Sequence, residues 1–356
     1  MRRIALIASI ASLAALAFAG PAQAAGWNPP AELLGPGTGG NGNPLTGVKF
    51  SVDEQWGLAN RARLQCSTQR CYDLMSLIAD QPETKRFGSW TANPRAAIDA
   101  YLDRILDDQP GTVPLLATYR LQHPHCRGFG DSPDEVERYQ RWYDGFAAGI
   151  GKRPAVIFLE IDGLITAHCL NSRGQVTRYR ELVYAMRKLT ELPRTVVYLD
   201  AGSADAAPYR EMARRLIKSG VMRGQGFFLN STHYNWTTSE LAYGQRIARL
   251  LPQVRHFVVS TAANGQGPLR PKNRVRDGNE VRCNPPKRGL GPKPTANTGY
   301  LWADAFVWIG NPGRSAGRCK PGDPGVGVFH APIALGLAQY ANFTVTGPKT
   351  DRPTRR

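Results

Sequence analysis

The sequence predicts a parallel α/β architecture, either an open sheet or one closed into a barrel. Apolar runs, several rich in β-branched or aromatic residues, alternate with amphipathic stretches of helical spacing. Several of the runs end in a polar residue, namely Tyr119, Asp162, Asp200 and Asn230. In a parallel β/α barrel the carboxyl ends of the strands line one mouth, so residues that end different strands meet there. The length and a hydrophobic content of 42% suit one large globular domain.

The elements follow in order. Arg2 and Arg3 precede an apolar run over 4–19, and Ala22-Gln23-Ala24 is a small-x-small site. Residues 1–24 are therefore expected to be a secretory signal peptide cut after Ala24, which predicts an extracellular protein. The run is short for a membrane span, and no later segment has a long uncharged apolar stretch. Residues 25–47, rich in Gly, Pro and Asn, are expected to form a flexible linker. Its glycines lack the preceding strand and closing Lys-Ser/Thr of a phosphate loop. The ordered domain is expected over 48–346. Strands are predicted at 113–119, 155–161, 195–199, 226–230 and 256–261. Helices are predicted at 134–150 after a Ser132-Pro133 start, and at 179–192, 209–219, 238–251 and 331–340. Residues 347–356 form a basic tail.

The net charge of +17 favours anionic partners through long-range attraction. Much of the excess lies in 270–293 and in the tail, and no nucleic-acid reading motif accompanies it. Six cysteines, Cys66, Cys71, Cys126, Cys169, Cys283 and Cys319, argue for disulfides in an exported chain. The close pair Cys66 and Cys71 is expected to bridge, while spacing alone leaves the remaining pairing open. No CxxC pair and no histidine cluster marks a metal site, so no metal or cofactor is expected.

The sharpest segment is Leu159-Glu160-Ile161-Asp162-Gly163-Leu164. A carboxyl at the end of a buried strand is partly desolvated, which raises its pKa and lets it protonate a leaving oxygen. Glu160 would face the same way on a regular strand and is expected to make a buried hydrogen bond or ion pair. Taken singly, Asp162, Asp200 and Asn230 could each cap a following helix.

These segments resemble glycoside hydrolase family 6, the inverting β-1,4-glucanases and cellobiohydrolases. Ala155-Val-Ile-Phe-Leu-Glu-Ile-Asp162-Gly-Leu is similar to the family's general-acid strand, and Val197-Tyr-Leu-Asp200-Ala-Gly202 to its YLDAG segment. Gly226-Phe-Phe-Leu-Asn230, Asn264-Gly-Gln-Gly-Pro268, Cys283-Asn-Pro-Pro286 and Trp308-Ile-Gly-Asn-Pro-Gly313 continue the match in order. The resemblance implies a distorted seven-stranded parallel (β/α) barrel, TIM-barrel-like, with a β-glucan cleft at the strand ends. It implies Asp162 as general acid and Asp200 as a carboxylate touching glycan. Tyr119, His125, Asn230, Asn264 and Trp308 become substrate-binding candidates, Trp308 as a sugar-stacking platform. It pairs Cys126 with Cys169 and Cys283 with Cys319. A monomer is expected.

The departures are equally specific. Pro124-His125 stand where the family has Arg-Asp, and a protonated His125 would lower the pKa of Asp162 rather than raise it. The sugar-binding lysine becomes Gly310, a glutamate becomes Arg314, and the aspartate proposed as base becomes Ala316. A cleft tryptophan becomes Arg86, with Trp90 and Trp236 as candidate substitutes. Inverting hydrolysis needs a proton acceptor for the attacking water, and Asp200 or His125 acting through water is the expected one. The leading expectation is a secreted hydrolase. The alternatives are a barrel that kept the cleft and lost the chemistry, and a basic cell-envelope adhesin.

Overall fold

The computed structural model describes residues 42–55, 57–121, 130–268, 275–276, 279–280, 283–319 and 321–356. Two short helices, α1 (Leu58–Arg63) and α2 (Gln69–Ala79), lead into strand β1 (Lys85–Gly88). Helix α3 (Pro94–Asp108) then precedes β2 (Leu115–Tyr119), and α4 (Pro133–Ile150) precedes β3 (Ala155–Leu159). Next come α5 (Ser172–Thr190), β4 (Thr195–Asp200), α6 (Tyr209–Lys218), β5 (Gly226–Leu229), α7 (Thr237–Ala248) and β6 (His256–Ser260). A small antiparallel pair, β7 (Val275–Arg276) and β8 (Asn279–Glu280), stands apart. Strand β9 (Ala303–Val307) and helix α8 (Ala331–Gln339) close the order.

Seven strands form one parallel sheet in the order β1-β2-β3-β4-β5-β6-β9. The sheet curls into a barrel-like α/β fold, as the family resemblance implies. Alternation along the strands builds two cores. Val156, Phe158, Tyr198, Phe228, Val258 and Ala305 fill the inside of the curl, while Ile157, Leu159, Val197, Phe227, Phe257 and Phe306 pack outward with the helices. Gly226 is required where β5 meets β6, because a Cβ there would lie 1.8 Å from the His256 carbonyl oxygen.

Among the described residues no pairing joins the two outer strands β1 and β9. Side chains bridge that seam just past the end of β9: Thr84 Oγ1 donates to the Trp308 carbonyl at 3.2 Å, and Arg86 Nη2 to the Ile309 carbonyl at 2.9 Å. At the other end of the barrel, buried Asp304 accepts from Tyr198 Oη at 2.7 Å and Gln225 Nε2 at 2.9 Å, and pairs with His256 at 2.6 Å.

The helices start where capping chemistry allows. Ser132 accepts from the Glu135 amide ahead of Pro133, and Asp134 and Glu135 complement the positive end of α4. Asn171 caps α5 in the same way, so the helix begins at Ser172, seven residues before the predicted start at 179–192. β1, β9, α1, α2 and α3 were not expected. β1 and β9 are short or carry polar residues, and α3 begins at an Asn93-Pro94 cap.

The expected linker extends too far. Asn43 and Leu45 are buried, and Asn43 Nδ2 donates to the Asp304 carbonyl at 2.8 Å, so the packed domain begins before residue 48. The basic tail is not a free segment either. The Thr354 amide donates to Gln245 Oε1 at 2.8 Å, and Arg356 Nε donates to the Tyr300 carbonyl at 2.9 Å. Cys66–Cys71 and Cys283–Cys319 are disulfides, and Cys169 is disulfide-bonded. The expected partner of Cys169, Cys126, lies outside the described residues. Among the described residues, no helix is long and apolar enough to cross a membrane.

Candidate active site

A cleft of about 1260 Å³ opens at the carboxyl ends of the strands. Tyr119 ends β2, Asp162 follows β3, and Asn230 to Tyr234 follow β5. Gly310 to Ala316, beyond β9, form the opposite wall with Asp323 and the start of α8. The mouth of the barrel therefore gathers Tyr119, Asp162 and Asn230, as their positions at strand ends require.

The chain leaves the extended conformation immediately after Leu159. Glu160 and Asp162 both have positive φ, +56° and +63°, in the left-handed region that L-residues avoid. This break sends the two carboxyls to different places, against the expectation that they share a face. Glu160 is fully buried; its Oε2 accepts from the amides of Arg120 at 2.9 Å and Leu121 at 3.0 Å, and Tyr143 Oη donates to Oε1. It ties β2 and α4 to the loop that carries Asp162. Asp162 instead faces the cleft, where Thr232 Oγ1 donates to its Oδ1 at 2.8 Å. Its carbonyl accepts from Thr166 Oγ1 at 2.7 Å, which holds the strained turn.

Burial raises the pKa of the Asp162 carboxyl, while the hydrogen bond from Thr232 and the charges of His233 and Arg86 pull it back. His233 was not singled out by sequence. Desolvation alone would lower its pKa, but a 2.9 Å contact between Nδ1 and Asp205 Oδ1 lifts it to about 9. His233 is thus a cation at neutral pH beside the acid. Asn235 Nδ2 donates to the same Asp205 oxygen, Oδ1, at 2.7 Å. No spacing rule connects residues 205, 233 and 162, so only the fold could reveal this trio.

Three expected contacts move out of the cleft. Asp200 is 0% exposed and does not line it. Its Oδ1 accepts from the Gly202 amide at 3.2 Å and its Oδ2 from the Leu164 amide at 3.3 Å. Burial, with the nearby charge of Asp162, raises its pKa to about 8. Asp200 braces the loop that carries Asp162. Trp308 is 1% exposed, packed with Ala262, Leu290, Ala334 and Leu337, with Nε1 donating to the Pro292 carbonyl at 3.1 Å. It is part of the core in this structure, with no face open to the cleft. Asn264 is buried too and ties Asn235 and Thr237 together through Nδ2. His125 lies outside the described residues.

Of the candidate substitutes, Trp90 is 61% exposed on the cleft wall, its ring centroid 6.3 Å from that of Tyr119. Trp236 lies under Gly267, away from the cleft. Burial and the Asp162 charge push the Tyr119 phenol upward, so it stays neutral and able to donate. Arg86 and Arg314 both line the cleft. At Gly310 a Cβ would lie 3.0 Å from the Ser231 carbonyl, so the β9 loop sits close against the β5 loop.

Asp323 is the second acid of the cleft among the described lining residues. Its Oδ2 accepts from Asn284 Nδ2 at 3.0 Å, and Asn284 Oδ1 accepts from the Ala316 amide at 2.7 Å. Asn284 thereby links the Asp323 carboxylate to the position where the resemblance places the base.

Residues 45–332 match the family model "Glycosyl hydrolases family 6". The chain is 32% identical over 304 residues to Endoglucanase 1 of Streptomyces halstedii, covering 83% of this chain and 87% of the relative. It is 33% identical over 272 residues to Endoglucanase A of Cellulomonas fimi, covering 76% of this chain and 57% of that relative. The structure of the endoglucanase Cel6 from Mycobacterium tuberculosis, in complex with methyl-cellobiosyl-4-deoxy-4-thio-β-D-cellobioside, superposes with a TM-score of 0.74 at 32% identity. That likeness covers 84% of this chain and 99% of the other. With a strand-end carboxyl facing a cleft on a seven-stranded parallel barrel, the chain belongs to glycosyl hydrolase family 6.

Proposed function

We propose that the protein is an extracellular glucanase that hydrolyses β-1,4-glucan-type polysaccharide, with Asp162 as general acid. The observation that carries the reading is the placement of Asp162: a cleft-facing carboxyl whose burial favours the protonated form. The relatives named endoglucanases support the substrate class.

The chemistry needs two acid–base groups. As water attacks the anomeric carbon, the glycosidic C–O bond breaks and the leaving oxygen takes the proton from Asp162. The water gives up its own proton to a second group. Asp323 is the carboxylate assigned here to that role, because it lines the same cleft and is anchored through Asn284 to Ala316. This replaces the expected relay through Asp200, which is sealed in the core. Tyr119 binds sugar hydroxyls and Trp90 offers the aromatic face, while Asn230, buried with its Nδ2 given to the Asn235 and Ser260 carbonyls, holds the cleft wall in place.

The test is prolonged incubation of wild type and Asp162→Asn with a soluble β-glucan. Wild type releases reducing ends and the variant loses that activity about a hundred- to ten-thousand-fold. Equal release from both would remove the hydrolase reading. No release from either, with glycan binding retained, would leave the second reading: a binding protein. The replacement of the usual base position by Ala316 favours that alternative.

A further inference from the structure

Five lysines and arginines line the described part of the cleft against two acids, Asp162 and Asp323. Arg314 lies close enough to Lys85 and Arg86 for its charge to lower the pKa of both, after the larger effect of burial. None forms a salt bridge with a carboxylate among the described residues. The nearest acid behind them, Glu83, does not line the cleft, and burial raises its pKa toward the neutral form. Clustered like charges without a direct ion pair are costly in a partly desolvated site, and the Tyr101 ring under Lys85 and the more distant charge of Asp162 on Arg86 offset them only in part.

Part of each guanidinium has a structural job. Arg86 gives Nε and Nη2 to the Ile309 carbonyl across the barrel seam, and Arg314 gives Nη1 to the Gly327 carbonyl at 2.7 Å. The rest is unspent. Arg86 Nη1 and Arg314 Nη2 make no hydrogen bond among the described residues, and Arg314 Nε is buried without a partner. Backbone carbonyls fix the two planes beside the cleft, which is how a guanidinium is pre-organised for an oxyanion. A neutral glucan would leave these donors facing hydroxyls and the charges without a direct counter-ion.

We infer that the cleft selects a β-linked glycan bearing carboxylate substituents, with the carboxylate meeting Arg86 and Arg314 beside the sugar that Asp162 serves. The inference rests on the glycan reading of the cleft, but not on turnover. Seating a carboxylate there compensates the cationic cluster and offsets the pull of Arg86 on the acid. A bound carboxylated chain therefore favours the protonated Asp162 that the reaction needs.

The experiment measures binding with the full chain carrying Asp162→Asn, so that hydrolysis cannot consume the ligand. Carboxymethylated and unsubstituted cello-oligosaccharides of equal length are titrated by calorimetry at low and high salt. The expected result is at least tenfold tighter binding of the carboxymethylated form at low salt. That preference should fall at high salt and disappear when Arg314→Gln is added, while binding of the neutral oligosaccharide changes little. Arg86→Lys, which keeps the charge and loses the fork, should reduce the preference without abolishing it. A control, Arg352→Gln in the tail, should leave it intact. Equal affinities for the two ligands would overturn the inference. So would a preference that survives Arg314→Gln, or one that falls equally with Arg352→Gln, which would mark net charge alone. Failure of wild type to cleave either substrate, with the preference retained, would count against the hydrolase and leave this inference standing.

Discussion

Replacing Asp323 by Asn tests whether a carboxylate has been regained at the cleft. Asn keeps the shape and one carbonyl oxygen, so the 3.0 Å hydrogen bond from Asn284 Nδ2 can persist. Even if it were lost, the cost would be about 1–3 kcal/mol of stability for a charge-assisted bond at a half-buried site. That leaves a folded domain at 25 °C, because native domains are stable by about 5–15 kcal/mol. The kinetic effect is larger in kind. Loss of general-base help slows hydrolysis about a hundred- to ten-thousand-fold, equivalent to about 2.7–5.5 kcal/mol of barrier. The assay is kcat on a soluble β-glucan under saturating substrate, beside a thermal unfolding curve for each protein. The base reading expects kcat to collapse with KM little changed, and Asp323→Ala to recover part of its rate with added azide, a small nucleophile that needs no deprotonation. A kcat within about threefold of wild type, with intact folding, would remove Asp323 from the mechanism and return the base to an unassigned group.

Three further outcomes follow from the same geometry. Trp308→Ala should cost about 3–5 kcal/mol of stability, because it empties a fully buried indole site, and calorimetric unfolding will read it; unchanged stability with weakened glycan binding would restore Trp308 as a sugar platform. His233→Gln removes a cation beside Asp162, so the acid keeps its proton to higher pH and the alkaline limb of kcat/KM moves upward. The charge of His233 persists through neutral pH, since its pKa is about 9, so the shift should be visible between pH 5 and 8, and an unmoved or lowered limb would refute it. Asp200→Asn cannot accept from both the Gly202 and Leu164 amides, so it should lower stability by about 1–3 kcal/mol through an unpaired amide. A loss of affinity for glycan without any loss of stability would show that Asp200 reaches the substrate after all.

The architecture was legible because its signal is local. Strands buried on both faces read as apolar runs, and capped helices with an apolar stripe lie between them. The strand-end rule then brought Asp162, Tyr119 and Asn230 to one cleft with no knowledge of the loops. It misplaced Asp200, which also ends a strand. What differs is the backbone beyond the last ladder bond. The chain turns left-handed at Glu160 and Asp162, so Asp162 swings out, whereas Asp200 ends its strand in register and keeps its carboxyl under the following loop. Trp308 failed for a related reason. A resemblance transfers residue type, but an indole stacks only where the neighbouring layer leaves its face open. Here Ala334 and Leu337 of α8 close over it. Asp323 and His233 could not be found by pattern, because their partners Asn284 and Asp205 lie 39 and 28 residues away in sequence.

The altered residues at the mouth change one electrostatic problem rather than several separate ones. An inverting acid must hold its proton while the attacking water loses one, so the two ends of the cleft want opposite fields. Burial serves the acid at Asp162, but His233 and Arg86 oppose it. If the substrate were neutral, that opposition would persist in the complex, and the acid would work best only at low pH. A carboxylated substrate removes part of the opposition when it binds, so free enzyme and complex should differ in their pH dependence. The alkaline limb of kcat, which reports the complex, should lie above that of kcat/KM, which reports the free enzyme, on a carboxylated glucan. On an unsubstituted glucan the two limbs should nearly coincide. Coincident limbs on both substrates would show that the cationic cluster never couples to Asp162, and the arginines would then act in binding alone.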